Sequence, residues 1–259
     1  MSGPRIITLD IETSPIIAYV WGLFKQFVGL DQILQDWSVL SFCAKTLGDP
    51  KVRYHDVSGQ KNVYDDRKIM KALWKELDAA DIVVTQNGIR FDHKKINARF
   101  LVLGMPPPSP YKMVDTMVEA KNVAAFTSNK LAWLSRALSE ERKSDHGKFP
   151  GFKLWAECLK NNPEAWAEMR EYNPQDVIAT EEVYLKLRPW MQGHPNVANY
   201  DDDETLRCPH CGSQDVAQKG YRTTQVGKYP RYRCNGCHAW SRGGYTINTI
   251  AKRKSLLRT

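Results

Sequence analysis

Arg5 to Glu12 reads R-I-I-T-L-D-I-E. The β-branched, apolar run from Arg5 to Ile11 predicts a buried strand. Asp10 and Glu12 are two residues apart, so on a strand both carboxylates leave the same face. Two carboxylates on one face of a buried strand repel each other and lose hydration, unless a cation sits between them or the strand ends there and both point into water. A hard divalent ion such as Mg²⁺ or Mn²⁺ suits the first arrangement, because it prefers carboxylate oxygen. The pair alone leaves both readings open.

Outward from this strand the pattern alternates. Val39 to Leu47 and Val52 to Val57 read as two strands joined through the Gly48-Asp49-Pro50 turn, a predicted hairpin. Asp65 to Ala80 places Ile69, Leu73, Trp74 and Leu77 at helical spacing, with Asp65 or Asp66 as the cap. Ile82 to Thr85 is a short apolar strand running into Asn87-Gly88. A helix follows from Asp92 to Leu103, stopped by Gly104 and Pro106-Pro107-Pro108. A strand near Lys112 to Val114 precedes helices at Thr116–Asn122, Lys130–Leu138, Phe152–Leu159 and Pro163–Tyr172. A further helix is predicted to start at Pro174 with Asn173 as its cap and to run to Leu187. This order of elements predicts a mixed α/β layer fold.

The 259 residues are 42% hydrophobic and 25% charged, an ordinary globular composition that argues against wholesale disorder. No apolar run reaches membrane-spanning length, and Met1 to Asp10 lacks the pattern of a secretory signal, so a cytoplasmic setting is expected. Charge is unevenly spread. Arg207 to Thr259 holds eleven Lys and Arg against the single acid Asp215, whereas the preceding residues carry 26 bases and 28 acids. A basic block on a near-neutral body is the footprint of a polyanion partner. Gly193, Pro195 and the run Asp201 to Glu204 suggest a linker, giving an expected division into 1–192, a linker at 193–206 and a basic module at 207–259.

Asp92 at a strand-to-helix junction has a local explanation as a helix-terminal acid. Asp176, in the first turn after Pro174, has the same one, and Tyr172 taken alone reads as a core aromatic. Taken in order, however, D-I-E, then N-G-I-R-F-D ending at Asp92, then Y-N-P-Q-D from Tyr172 to Asp176 resemble the DEDD exonucleases of the RNase H-like superfamily, tyrosine subclass. Asn87, Phe91 and Asp92, followed by Asn97 and Arg99, look most like the proofreading exonuclease of family B DNA polymerases. Pro106 through Asp115-Thr116 to Lys130-Leu131 is similar to standalone exonucleases of this kind encoded by bacteriophages. The resemblance spans Arg5 to Met191. It implies an RNase H-like (DnaQ-like) mixed sheet flanked by helices, acting in a bacterial or phage-infected cell. Asp10, Glu12, Asp92 and Asp176 would hold two Mg²⁺ or Mn²⁺ ions, and Tyr172 would orient the attacking water for hydrolysis from a 3′ end.

Pro174 departs from that pattern: a helix starting there would end the preceding one at Tyr172 and displace its hydroxyl. Asn87 and Phe91 read either as substrate contacts or as a turn former and a core aromatic. Asp115 reads as an acid supporting the site from outside the ligand set.

Cys208-x-x-Cys211 and Cys234-x-x-Cys237, 22 residues apart, have the spacing of a tetrahedral four-thiolate Zn²⁺ site. The module resembles a zinc ribbon, structural in role because four sulfurs leave no open position. Cys43 and Cys158 read as small buried residues. Arg222, Arg231, Arg233 and Trp240 are the module's candidate substrate contacts, cations for phosphates and a ring for a base. The Lys252-Arg253-Lys254 run reads as a flexible phosphate-binding tail. The partner expected is single-stranded DNA, with replication or repair proteins beyond it. An endonuclease cutting flaps or junctions, a 3′→5′ exoribonuclease and a non-catalytic adaptor use the same features.

Overall fold

A computed structural model describes residues 3–140 and 147–258. Its strands are β1 (Ile6–Thr13), β2 (Ile17–Ala18), β3 (Ile33–Gln35), β4 (Val39–Thr46), β5 (Val52–Asp56), β6 (Ile82–Thr85), β7 (Lys112–Asp115), β8 (Val216–Thr223), β9 (Lys228–Cys234) and β10 (Trp240–Arg242). Its α-helices are α1 (Arg67–Asp78), α2 (Asp92–Val102), α3 (Thr116–Val123), α4 (Leu131–Leu138), α5 (Lys153–Leu159), α6 (Pro163–Leu187) and α7 (Ile250–Lys254). The chain forms two compact units, one of Arg5–Tyr184 and one of Leu185–Thr259 with the N-terminal residues.

In the larger unit five strands lie in the order β5-β4-β1-β6-β7. The β4–β5 hairpin and the β1–β4 pair are antiparallel, while β1–β6 and β6–β7 are parallel with helices in the crossovers. This is the mixed α/β sheet flanked by helices that the sequence predicts. Strand alternation gives β1 two unlike faces. Ile7, Leu9 and Ile11 face a core shared with Phe42 and Ala44 of β4 and with Ile69, Met70, Leu73 and Leu77 of α1. Each of these side chains except Ala44 contributes about 1.5–3 kcal/mol on burial. Thr8, Asp10 and Glu12 take the other face, in register with Lys45, Cys43 and Ser41 of β4. Cys43 and Cys158 are both buried.

Two expectations are corrected. Asp66 precedes α1 but its carboxylate caps nothing. It is fully buried, accepts two hydrogen bonds from the Arg99 guanidinium at 2.7 and 2.6 Å, and accepts a third from the Val39 N–H that opens β4. Of the two candidate caps it is Asp65 that meets the helix start, accepting the Arg67 N–H, so only the Asp66 alternative is corrected. The second correction concerns Pro174, which starts no new helix: it lies inside the 25-residue α6. Proline removes one i→i−4 bond, at a cost of about 3 kcal/mol. Contacts on both sides of it offset that loss. Asn173 accepts the Ser41 hydroxyl and donates to Asp10, and Glu181 pairs with Lys45 across the polar sheet face.

In the smaller unit β8, β9 and β10 form an antiparallel sheet in the order β10-β9-β8. The stretch expected as a linker is held on this sheet's unit: Val197 is buried and its N–H donates to the Pro209 carbonyl. Lys252, Arg253 and Lys254 of the basic tail lie in the short helix α7, with the Thr249 hydroxyl accepting the Lys252 N–H. Among the described residues no helix is long and apolar enough to cross a membrane.

Candidate functional site

Three carboxylates converge on the polar face of β1. Oxygens of Asp10, Glu12 and Asp176 lie within 4.8 Å of one another, although Asp176 is 166 residues from Asp10 in sequence. The strand period brings in the first two and α6 the third. Because α6 continues through Pro174, Tyr172 and Asp176 are i and i+4 on one helix and share a face. The Tyr172 hydroxyl is hydrogen-bonded to Asp176, and its ring sits edge-on to Trp155 at 6.0 Å. Burial, with the charges of Asp176, Glu12 and Asp10 nearby, holds the Tyr172 phenol far above its ordinary range, so it is a proton donor and not a base.

Asp92 stands beside this trio rather than within it. It opens α2 and accepts the Ile11 N–H at 3.3 Å, which ties it to β1 between the two acids of the D-x-E pair. Its carboxyl is pushed up to about 7, by burial first, with Asp115 adding to the effect against the backbone hydrogen bonds of Asp92 and Ile11. The folded chain therefore keeps a proton that the unfolded chain releases near pH 4. This carboxyl makes the fold less stable as pH rises from there to about 7. Asp92→Asn, which can still accept from Ile11, is expected to raise the melting temperature of cation-free protein at pH 8 and to leave it unchanged near pH 4. A lower melting temperature at pH 8 would mean that the native charge is already compensated.

The loop leading into Asp92 is fixed by backbone geometry. Asn87 has φ +64°, and a Cβ on Gly88 would lie 2.2 Å from the Thr85 hydroxyl oxygen. Asp115 accepts the N–H groups of Asn87 and Ile89 as well as those of Met117 and Val118, so one carboxylate pins the turn and caps α3. Asn87 is thus a turn former through its backbone. Phe91 is no core aromatic, being 40% exposed.

Sequence reasoning missed two residues here. The Trp155 indole donates to Glu12 Oε2 at 3.0 Å, and the Asn173 amide donates to Asp10 Oδ2 at 2.6 Å. Asn173 was expected as a helix cap; its place one residue after Tyr172 is the signal that could have found it. The donor set, three clustered carboxylates with a fourth buried beside them and hydrogen-bonded side chains behind, fits a hard divalent cation.

In the smaller unit the four Sγ atoms of Cys208, Cys211, Cys234 and Cys237 also lie within 4.8 Å of one another. Cys208 to Cys237 is 3.6 Å and Cys211 to Cys234 is 3.7 Å. These separations exceed a disulfide bond and approach the ~3.8 Å edge of a tetrahedron with ~2.3 Å metal–sulfur bonds, so the thiols fit a four-thiolate metal site. Strand register sorts the basic residues. Arg233 pairs with Trp240, Arg231 with Arg242 and Arg222 with Tyr229, and all six alternate onto one face of the sheet. Arg231 lies 4.8 Å and Arg233 6.0 Å from the Trp240 ring, and Arg242 lies 4.2 Å from the Tyr229 ring.

Residues 39–188 match the family model described as RNase_H superfamily. That is more than half of the chain, and the chain belongs to this superfamily. Asp92, Tyr172 and Asp176 fall inside the matched range, and membership supports a nuclease that acts on nucleic acid. No curated protein matches the chain. Among solved structures, it is similar to the family B DNA polymerase from the hyperthermophilic archaeon Pyrobaculum calidifontis, with a TM-score of 0.52 and 18% identity over 72% of this chain. The match spans 25% of the polymerase chain, so what the two share is the fold of one part of that enzyme.

Proposed function

We propose that the protein is a metal-dependent 3′→5′ exonuclease that degrades single-stranded DNA, with residues 1–192 as the cutting body and 207–259 as a zinc-stapled grip. The observation that carries the reading is the convergence of Asp10, Glu12 and Asp176, from distant parts of the chain, beside the buried Asp92. Asp10, Glu12, Asp92 and Asp176 would hold two Mg²⁺ or Mn²⁺ ions. Such a pair supplies the charge stabilisation that an anionic phosphodiester needs as its leaving oxygen departs. The chain's own groups do the positioning. Tyr172, kept as a phenol, orients the attacking water by hydrogen bonding, and Asp176 fixes the direction of its hydroxyl. Trp155 and Asn173 hold the Glu12 and Asp10 carboxylates in place. On the ribbon, the arginine-rich face of β8–β10 would track phosphates while Trp240 stacks on a base. Zn²⁺ is the ion proposed for the four thiols, because a sheet this small has too little core to be secure without a staple.

The test is a comparison of 3′-labelled and 5′-labelled single-stranded DNA, double-stranded DNA and RNA with Mg²⁺ and with Mn²⁺. A 5′-labelled single strand should give a ladder shortening from its 3′ end. Discrete internal cuts would replace the reading with an endonuclease, preference for RNA with an exoribonuclease, and absence of product with an adaptor. Within the reading, Asn173 is a positioning residue. Asn173→Ala is expected to lower turnover about 10–100-fold and to raise the Mn²⁺ concentration needed for half-maximal rate. An unchanged metal requirement would deny the amide this role.

A further inference from the structure

Between β1 and β4 the chain makes an excursion whose purpose the candidate site does not explain. β2 and β3 pair as a short ladder, and Ser14 and Ser38 bond to each other at its neck. Beyond the ladder Trp21 is 97%, Phe24 85% and Phe27 99% exposed, with Tyr19 also open to solvent. A concentration of bare rings this large marks a binding surface. Its sequence, residues 15–36, has one lysine and two aspartates, so it carries no net positive charge with which to attract phosphates.

Its position names the occupant. The neck leaves β1 at Ser14, two residues after Glu12, and the chain returns through Trp37 into β4. At that foot the Lys95 ammonium lies 3.6 Å from the Trp37 ring and 5.8 Å from the Phe91 ring, and Phe91 directly precedes Asp92. Two rings and a cation thus stand at the foot of the hairpin, next in sequence to the acids. Alternating rings and cations hold single-stranded nucleic acid by stacking on base faces, without sequence choice. We infer that the β2–β3 hairpin is an arm that stacks the unpaired bases of the substrate strand and leads them, past Trp37 and Phe91, to the carboxylates. The inference rests on the nuclease reading of that site.

The test uses the full chain carrying Trp21→Ala, Phe24→Ala and Phe27→Ala together. These side chains are solvent-exposed, so their removal takes nothing from the core. Affinity for a labelled single strand is measured without added divalent cation across a salt series. It is then measured again with a strand whose bases are replaced by abasic sites. The variant should bind the normal strand at least about tenfold more weakly, with an unchanged salt slope, and the abasic strand as the wild type does. Equal affinity for the normal strand overturns the inference. So does a wild-type dimer that the variant dissolves without change in DNA affinity, which would make the arm a contact between copies. Hydrolysis is scored separately: ring-dependent binding without strand shortening counts against the nuclease reading alone, and normal shortening with unchanged affinity counts against the arm alone.

Discussion

Asp10→Asn and Asp176→Asn are each expected to reduce hydrolysis by roughly a thousandfold or more, about 4 kcal/mol of transition-state stabilisation, while leaving DNA affinity nearly intact. The size follows from the geometry. Asp10, Glu12 and Asp176 form a single cluster within 4.8 Å, so neutralising one would remove a ligand from the proposed metal centre. The fold should survive, because each change relieves repulsion among crowded carboxylates and keeps the side chain's shape. Asp10→Asn still offers an oxygen to the Asn173 amide. Single-turnover rates on a 5′-labelled strand, with circular dichroism on the same samples, give the answer. Near-normal rates in both variants would remove the carboxylates from the mechanism.

The second large effect belongs to the thiols. Structural zinc in a small module contributes on the order of 10–16 kcal/mol, more than a three-stranded sheet with a core of Cys208, Cys234 and Ala239 can supply by packing. Removing the ion with a chelator, or replacing Cys208 by serine, is expected to unfold residues from Arg207 onward and leave the larger unit folded. Backbone amide signals of β8–β10 should collapse toward random-coil positions while those of β1 and β4 stay. DNA binding should weaken and its salt dependence flatten, by about 0.7 in log–log slope for each phosphate that the ribbon no longer neutralises on a single strand. Unchanged β8–β10 signals in a protein shown to be zinc-free would exclude a structural ion. A salt slope that survives would exclude the arginine face as the phosphate-binding surface.

How far the sequence could be read depended on how local each cause was. The β6–α2 junction was legible because Asn87-Gly88 adopts a backbone that few other residue pairs accept, and Gly104 with three prolines ends the helix. The β4–β5 hairpin and the four-cysteine pattern were legible for the same reason. In the smaller unit register does the rest: Arg222, Arg231, Arg233 and Trp240 alternate onto one face of the sheet. Long-range pairings were not legible. Asp66 precedes an apolar helical pattern, as a cap does, but its partner is Arg99, 33 residues on. Pro174 looks like a helix start; the sheet residues that contact α6 on either side of it are Ser41, Lys45 and Asp10. Trp155 meets Glu12 across 143 residues of chain, and no local spacing encodes that. The exposed hairpin has neither strand alternation nor a helical period, so its ladder went unread.

The most direct test of the central claim is a crystal structure of the full chain with Mn²⁺, using the ion's anomalous scattering. Two peaks about 3.5–4 Å apart among Asp10, Glu12, Asp92 and Asp176 are predicted. Mn²⁺ at saturating concentration that leaves this cluster empty would contradict it.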